Sequence, residues 1–202
     1  MIRPSVVKIV SQLPLIALLF AVLSGCGVRA IPQAQNDIEA KWAEVINQYK
    51  RRSDLIPNLV NTVKGYATHE KETLEQVVAA RAKATSIQVD PAKLSPETIQ
   101  QFGAAQGELS AALGRLMVIA ERYPDLKANE NFRDLQAQLE GTENRTTIAR
   151  RHYIEAVQAF NNLVTVFPTN LTNSLFFHKE KLSQFTVDNV EQAETPPPVS
   201  FQ

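Results

Sequence analysis

A single cysteine in 202 residues rules out an internal disulfide, and the three histidines, His69, His152 and His178, are too scattered to give a zinc-ligand spacing. Stability must therefore come from packing. Net charge is missing as well: Lys plus Arg and Asp plus Glu each count 21, so nothing in the balance attracts nucleic acid or an acidic polymer. There is no Gly-rich phosphate loop and no Gly-x-Ser-x-Gly turn, which leaves phosphate binding and nucleophilic catalysis without their usual scaffolds. His69-Glu70-Lys71-Glu72-Thr73 begins like the helical zinc-protease motif, but Thr73 stands where the second histidine is required, so Glu70 and Glu72 read as acids matching a helix N-terminus. No catalytic residue, metal ligand or cofactor is assigned. Long hydrophobic runs are also scarce. The one such run, Leu13 to Leu23, is about half of the ~20 residues that an untilted membrane-spanning helix needs.

What the chain does have is enough apolar residues, 44% against 21% charged, to build a core, and a length suited to one domain. Its sharpest local signal lies at the start. Arg3 and Lys8 form a short basic opening, the apolar run follows, and Leu23-Ser24-Gly25-Cys26 closes it with small residues, the layout of a secretory signal peptide. That last tetrapeptide resembles the lipobox of bacterial lipoproteins, which implies cleavage before Cys26 and two or three acyl chains on that residue. Each buried methylene contributes ~0.8 kcal/mol, so two chains anchor stably where one would exchange. Gly27 in place of Asp after the cysteine implies, by the same resemblance, the outer rather than the inner membrane. An uncleaved signal anchor is the alternative, and it leaves the domain on the same extracytoplasmic, periplasmic side.

Beyond this segment the sequence is written in heptads. Ile38, Trp42, Val45, Tyr49, Arg52, Ile56, Leu59, Val63 and Tyr66 step by four and three, the mark of a helix packed along one seam, with Asn36 or Asp37 as its start. Pro57 predicts a kink, with Ser53 or Asp54 able to cap a restart, but the unbroken phase favours one bent helix. Gly65 to His69 is a weak point with Thr68 as a cap, followed by a second helix through Leu74, Val77, Val78 and Arg81; a continuous long helix is the rival. A loop from Thr85 to Leu94 leads to Ser95-Pro96-Glu97, a cap, a first-turn proline and a first-turn acid. The third helix carries Ile99, Phe102, Gln106, Leu109, Leu113, Leu116, Ala120 and Tyr123 and stops at Pro124. After a short connection, Asn129 caps the longest seam, from Phe132, Leu135, Leu139, Thr142 and Thr146 through Ala149, Tyr153, Ala156, Phe160, Leu163 and Phe167, ended by Pro168. Short turns between helices with one apolar seam each predict an all-α, antiparallel up-and-down bundle of about four helices.

The stretch Lys50-Arg51-Arg52-Ser53-Asp54-Leu55-Ile56-Pro57-Asn58-Leu59-Val60, with Val63-Lys64-Gly65-Tyr66-Ala67 and His69-Glu70-Lys71-Glu72 after it, resembles the signature of the LemA family. Leu139-Glu140-Gly141-Thr142-Glu143-Asn144-Arg145 and Phe167-Pro168 agree with it, so the resemblance covers about Ile38 to Phe185. It implies a bacterial, all-helical bundle held to a membrane near its N-terminus, with no established enzymatic activity. The lipobox departs from the N-terminal spanning helix that many members keep.

The expected organisation is a signal peptide over residues 1–25, an anchor linker over 26–36, the bundle over 37–187 and a Pro-rich disordered tail over 188–202. Leu171, Leu175, Phe176, Phe177, Leu182 and Phe185 should pack as a short helix and an apolar strap. Of Lys50, Arg51 and Arg52, the first two should face water, whereas Arg52 falls on the seam. A buried guanidinium needs a partner, and Glu143, flanked by Thr142 and Thr146, is the proposed one in a structural polar layer that fixes helix register. Function is expected to be non-catalytic: an adaptor in the cell envelope, anchored in membrane lipid through acylated Cys26 and meeting a membrane-protein partner such as an envelope protease. A structural envelope spacer is the alternative.

Overall fold

The computed structural model describes residues 4–91 and 94–182, and for residues 4–26 the course of the backbone alone. Six α-helices follow in order: α1 (Pro4–Lys64), α2 (Lys71–Ser86), α3 (Pro96–Ala120), α4 (Pro124–Ala128), α5 (Glu130–Thr165) and α6 (Thr169–Thr172), with a π-helical turn, Asn173–Phe177, closing the series. The described residues contain no strand. The four long helices form the antiparallel bundle that the seams predict, and α4, at Asp125 to Ala128 where a plain connection was expected, is a fifth, short one that buries Leu126 completely.

The start signals work as local chemistry requires. The Ser95 hydroxyl accepts the Thr98 amide at 3.2 Å ahead of Pro96, and Asn129 Oδ1 accepts the Phe132 amide at 3.0 Å. Between α1 and α2 the chain breaks at residues 65–70, where the amides of Tyr66 and Ala67 both donate to Val63 O and Ala67 is buried, so one continuous helix is not formed. The side chain of Thr68 does not cap α2; Glu70 stands at its N-cap and reaches across instead, accepting from Arg122 Nη2 at 3.2 Å and the Tyr123 hydroxyl at 3.3 Å. The acid expected at the surface is thus a tie between this turn and the end of α3.

The start of α1 differs from the expectation. No break occurs at Asn36 or Asp37, and the supposed linker over residues 26–36 is helical, with Gly27 and Ile31 buried. The reason is packing: Ile31 extends the seam one further step below Ile38 and joins the same core as Trp42 and Val45.

α1 and α5 form the long central pair, and the α2–α3 hairpin covers only part of its length. Two apolar clusters result. One, at the far end from the N-terminus, joins Ile56, Leu59 and Val63 of α1 to Val77, Leu109, Leu116, Leu126 and Phe132. The other, nearer residue 27, joins Ile38, Trp42, Val45 and Tyr49 to Tyr153, Val157 and Phe160 of α5, with Phe102 the contribution of α3. Its aromatic centre is tight: Trp42 meets Phe102 edge-on at 5.7 Å and Tyr153 at 5.0 Å, and Tyr49 meets Phe102 edge-on at 5.1 Å, the offset geometries that ring quadrupoles favour.

Candidate functional site

Two places in this bundle hold polar or exposed groups out of pattern, one at its waist and one at the end where α1 enters. The waist lies between the two clusters, where Arg52 and Ser53 on α1 and Thr142 and Thr146 on α5 are all buried. Arg52 Nη1 stands 2.9 Å from Glu143 Oε2, so the structure brings together the two residues singled out by sequence. Their surroundings are unequal: the Arg52 side chain is 8% exposed and that of Glu143 54%. The threonines do not join the pair. Thr142 Oγ1 donates to Leu139 O at 2.7 Å and Thr146 Oγ1 to Thr142 O at 2.9 Å, both within α5. The arrangement is therefore a buried guanidinium reaching outward to a surface carboxylate, not a closed layer with hydroxyls around it. Tyr49, one turn before Arg52, takes a hydrogen bond from Arg150, and burial pushes its phenol above the ordinary value despite the nearby Arg150 and Arg52 charges.

Ser53 explains why Pro57 is tolerated in a continuous helix. Proline has no amide hydrogen, so the carbonyl four residues earlier, that of Ser53, loses its intrahelical partner. Arg81 Nε of α2 donates to that carbonyl at 2.8 Å. The signature stretch thus has two arginine links, Arg52 outward to α5 and Arg81 inward from α2. The second is not visible in the sequence as a pairing, because Arg81 falls on the α2 seam.

A shallow groove of about 230 Å³ opens beside the ion pair between α3 and α5, lined by Arg52, Leu113, Met117, Leu139, Glu140 and Glu143 among others. Its one hydroxyl nucleophile is committed elsewhere: Ser110 Oγ donates to Gln106 O at 3.0 Å. Among the described residues no group of three or more His, Cys, Asp or Glu side chains stands together as a metal site.

The second place is the end at which α1 enters the bundle. Leu23, Ser24, Gly25 and Cys26 belong to α1 by backbone, and their side chains lie outside the described residues, as does the tail over 188–202. Gly27 is the first residue whose packing is described. A Cβ there would stand 2.7 Å from Thr172 Cβ and Oγ1, closer than atoms approach, so only glycine lets α6 lie against α1. The polypeptide after α5 is held by two buried asparagines. Asn161 takes the Leu182 amide at 2.8 Å and returns its own amide to Leu182 O at 2.9 Å; Asn173 pairs in the same double fashion with Lys179, both bonds 2.9 Å. Phe177 and Leu182 pack on the core as expected of the strap, whereas Leu171, Leu175 and Phe176 do not: they are 53%, 70% and 64% exposed. The inward side of this hairpin is polar, with Asn173 closing its hydrogen bonds and Thr172 lying against Gly27, and the apolar residues are turned outward. Phe185 lies outside the described residues. Among the residues whose side chains are described, from Gly27 onward, no helix is long and apolar enough to cross a membrane.

The sequence model of the LemA family matches residues 41–201. Among curated proteins, the chain is similar to Protein LemA of Metamycoplasma hominis, 26% identical over 164 residues that cover 78% of this chain and 71% of that protein. Magnetosome protein MamQ of Magnetospirillum gryphiswaldense is 23% identical over 176 residues, 79% of this chain and 64% of its own length. Magnetosome protein MamQ 2 of Paramagnetospirillum magneticum is 24% identical over 151 residues, 66% of this chain and 56% of its own. The matched region thus spans less than two thirds of either magnetosome protein.

Proposed function

The chain belongs to the LemA family, and from that premise we propose that it is a non-catalytic, membrane-anchored interaction module of the cell envelope, tethered by lipid on Cys26 with its helical domain outside the cytoplasm. The observation that carries this reading is the junction at residues 23–27. A basic start, an apolar run and Leu23-Ser24-Gly25-Cys26 lead without a spacer into a bundle that is packed from Gly27 onward. Support for an adaptor over a catalyst comes from the groove at the waist, where Arg52 and Glu143 are spent on an ion pair, Glu140 accepts from Gln136 and the serine is bonded into its own helix. The partner class is a membrane protein of the envelope, such as a protease. A structural spacer, the rival role, would need no exposed apolar face.

A second reading of the anchor rests on α1 itself, which runs from Pro4 through Cys26 to Lys64 as one helix and so also suits an uncleaved single span with the same exterior domain. Intact-mass measurement of the membrane-extracted protein separates the two. Loss of residues 1–25 with added acyl mass, and an uncleaved precursor for Cys26→Ser, is the expected result; a full-length, unmodified polypeptide in the membrane overturns lipidation.

A further inference from the structure

We infer that the end of the bundle surrounding Gly27 is a lipid-contacting surface, which lies on the bilayer with its apolar side chains among the headgroups and upper acyl chains. The inference rests on the membrane anchoring proposed above and holds for either form of anchor.

Three observations converge on it. The first is where the exposed apolar residues lie. Val28, Val166, Phe167, Leu171, Leu175 and Phe176 are 44% to 70% exposed and all belong to α1's entry, the α5–α6 junction, α6 and the π-helical turn, elements that pack on one another at this end. The other large exposed apolar side chains, Tyr66, Val78, Val118 and Ile148, are scattered singly along the bundle, as on any soluble protein. The second is charge. From Ala156 to His178 no Asp, Glu, Lys or Arg occurs, and the facing stretch of α1 from Ala30 to Asn36 has none either. Charge returns on this side with Arg29 and, just beyond the turn, with Lys179, Glu180 and Lys181, a fringe that is basic in balance, three cations to one acid, and so suited to anionic headgroups.

The third observation selects the occupant. The apolar run Leu13–Leu23 and Cys26 precede Gly27 directly, and Gly27 is clamped against Thr172 in the middle of this surface. Whatever part of residues 1–26 enters the bilayer therefore emerges from the surface itself, with no slack to hold it away. A lipid surface is the one partner that the anchor brings to these side chains by necessity, at an effective concentration that no free protein matches.

The test uses the full chain reconstituted in phosphatidylethanolamine/phosphatidylglycerol vesicles whose acyl chains carry bromine, a contact quencher of tryptophan. Phe176→Trp places a probe on the surface, Val118→Trp a control at the opposite end, and the parent chain's own Trp42, fully buried, gives the baseline. The expected result is co-flotation of all variants with vesicles, and quenching of Trp emission severalfold greater for Phe176→Trp than for Val118→Trp. Leu171→Trp should repeat the result should the first variant fail to accumulate. Co-flotation with equal, weak quenching at both positions overturns the lipid assignment and leaves the anchor intact. Failure to float overturns the anchor and the inference together. A blue-shifted, unquenched probe that depends on protein density assigns the face to a second copy, which also overturns it.

Discussion

Arg81 offers the most discriminating perturbation, because its guanidinium is matched to a defect in a different helix. Ser53 is buried, and its carbonyl lacks the amide that any residue other than proline would supply at position 57. Arg81→Met keeps most of the apolar stem and removes the donor. Loss of a charge-assisted bond that leaves a buried carbonyl unsatisfied costs about 1.5–3 kcal/mol. For a chain of this size, ~2 kcal/mol corresponds to a fall in Tm of roughly 4–8 °C. The decisive measurement is the double-mutant cycle with Pro57→Ala, in which the new amide satisfies Ser53 by the ordinary helical bond. Urea unfolding followed by circular dichroism should show Arg81→Met costing substantially less in that background, with a coupling of about 1–2 kcal/mol. An identical cost of Arg81→Met in both backgrounds would refute the reasoning, since it would mean that Arg81 stabilises the fold by something other than the carbonyl that Pro57 frees.

Three further outcomes follow from the packing. At the waist, Glu143→Gln should cost ~1–3 kcal/mol because it strips the charge partner from a buried guanidinium, while Arg52→Met, which replaces the buried member by an apolar side chain, should cost less; the reverse order in urea titrations would show that the pair is not what holds Arg52 inside. Burial pushes the Tyr153 phenol up to about 12, and a proton held more tightly in the folded state stabilises the fold fully below the unfolded value of ~10 and ceases to do so as pH rises through the folded value. Stability should therefore fall by about 2–3 kcal/mol between roughly pH 10 and 12, and the Tyr153→Phe chain, compared by unfolding at each pH, should lose less over that window. A chain starting at Gln33 should be soluble and helical yet less stable than one starting at Gly27, by ~2–4 kcal/mol, because it lacks the fully buried Ile31; equal urea midpoints would place Ile31 outside the core.

The seams were legible because heptad spacing maps directly onto burial: Ile38 to Val63 on α1, Phe102 to Ala120 on α3 and Phe132 to Phe160 on α5 all face inward with few exceptions. Arg52 was legible as an intruder for the same reason, and a nearby acid could be named for it. Three things were not legible. The helical start is not at Asn36 because a good cap residue is only a permission to begin, and Ile31 supplies a packing reason to begin earlier. The Arg81 link was hidden because a proline announces a lost donor but not which side chain, from which helix, will replace it. The outward turn of Leu171, Leu175 and Phe176 went against apolar periodicity, since the hydrogen bonds of Asn161 and Asn173 fix the hairpin's inner face. Asparagines beside an apolar seam, followed by a long uncharged stretch, are the sequence signal that would have pointed to it.

The part of α1 from Gly27 to Lys64, unbroken, also sets a distance. At ~1.5 Å per residue it spans roughly 55 Å, so the turn at residues 65–70 and the neighbouring α4 stand near the full length of that rod from the point of attachment. On the anchoring proposed above, height and tilt above the bilayer would be settled together by the packing of Thr172 on Gly27. A loosely tethered domain samples every height up to its limit; a bundle anchored as proposed would work as a stand-off of fixed length. A partner reading the Tyr66 and Asn129 end would have to present its own surface at that altitude, and a partner confined to the bilayer would meet only the base.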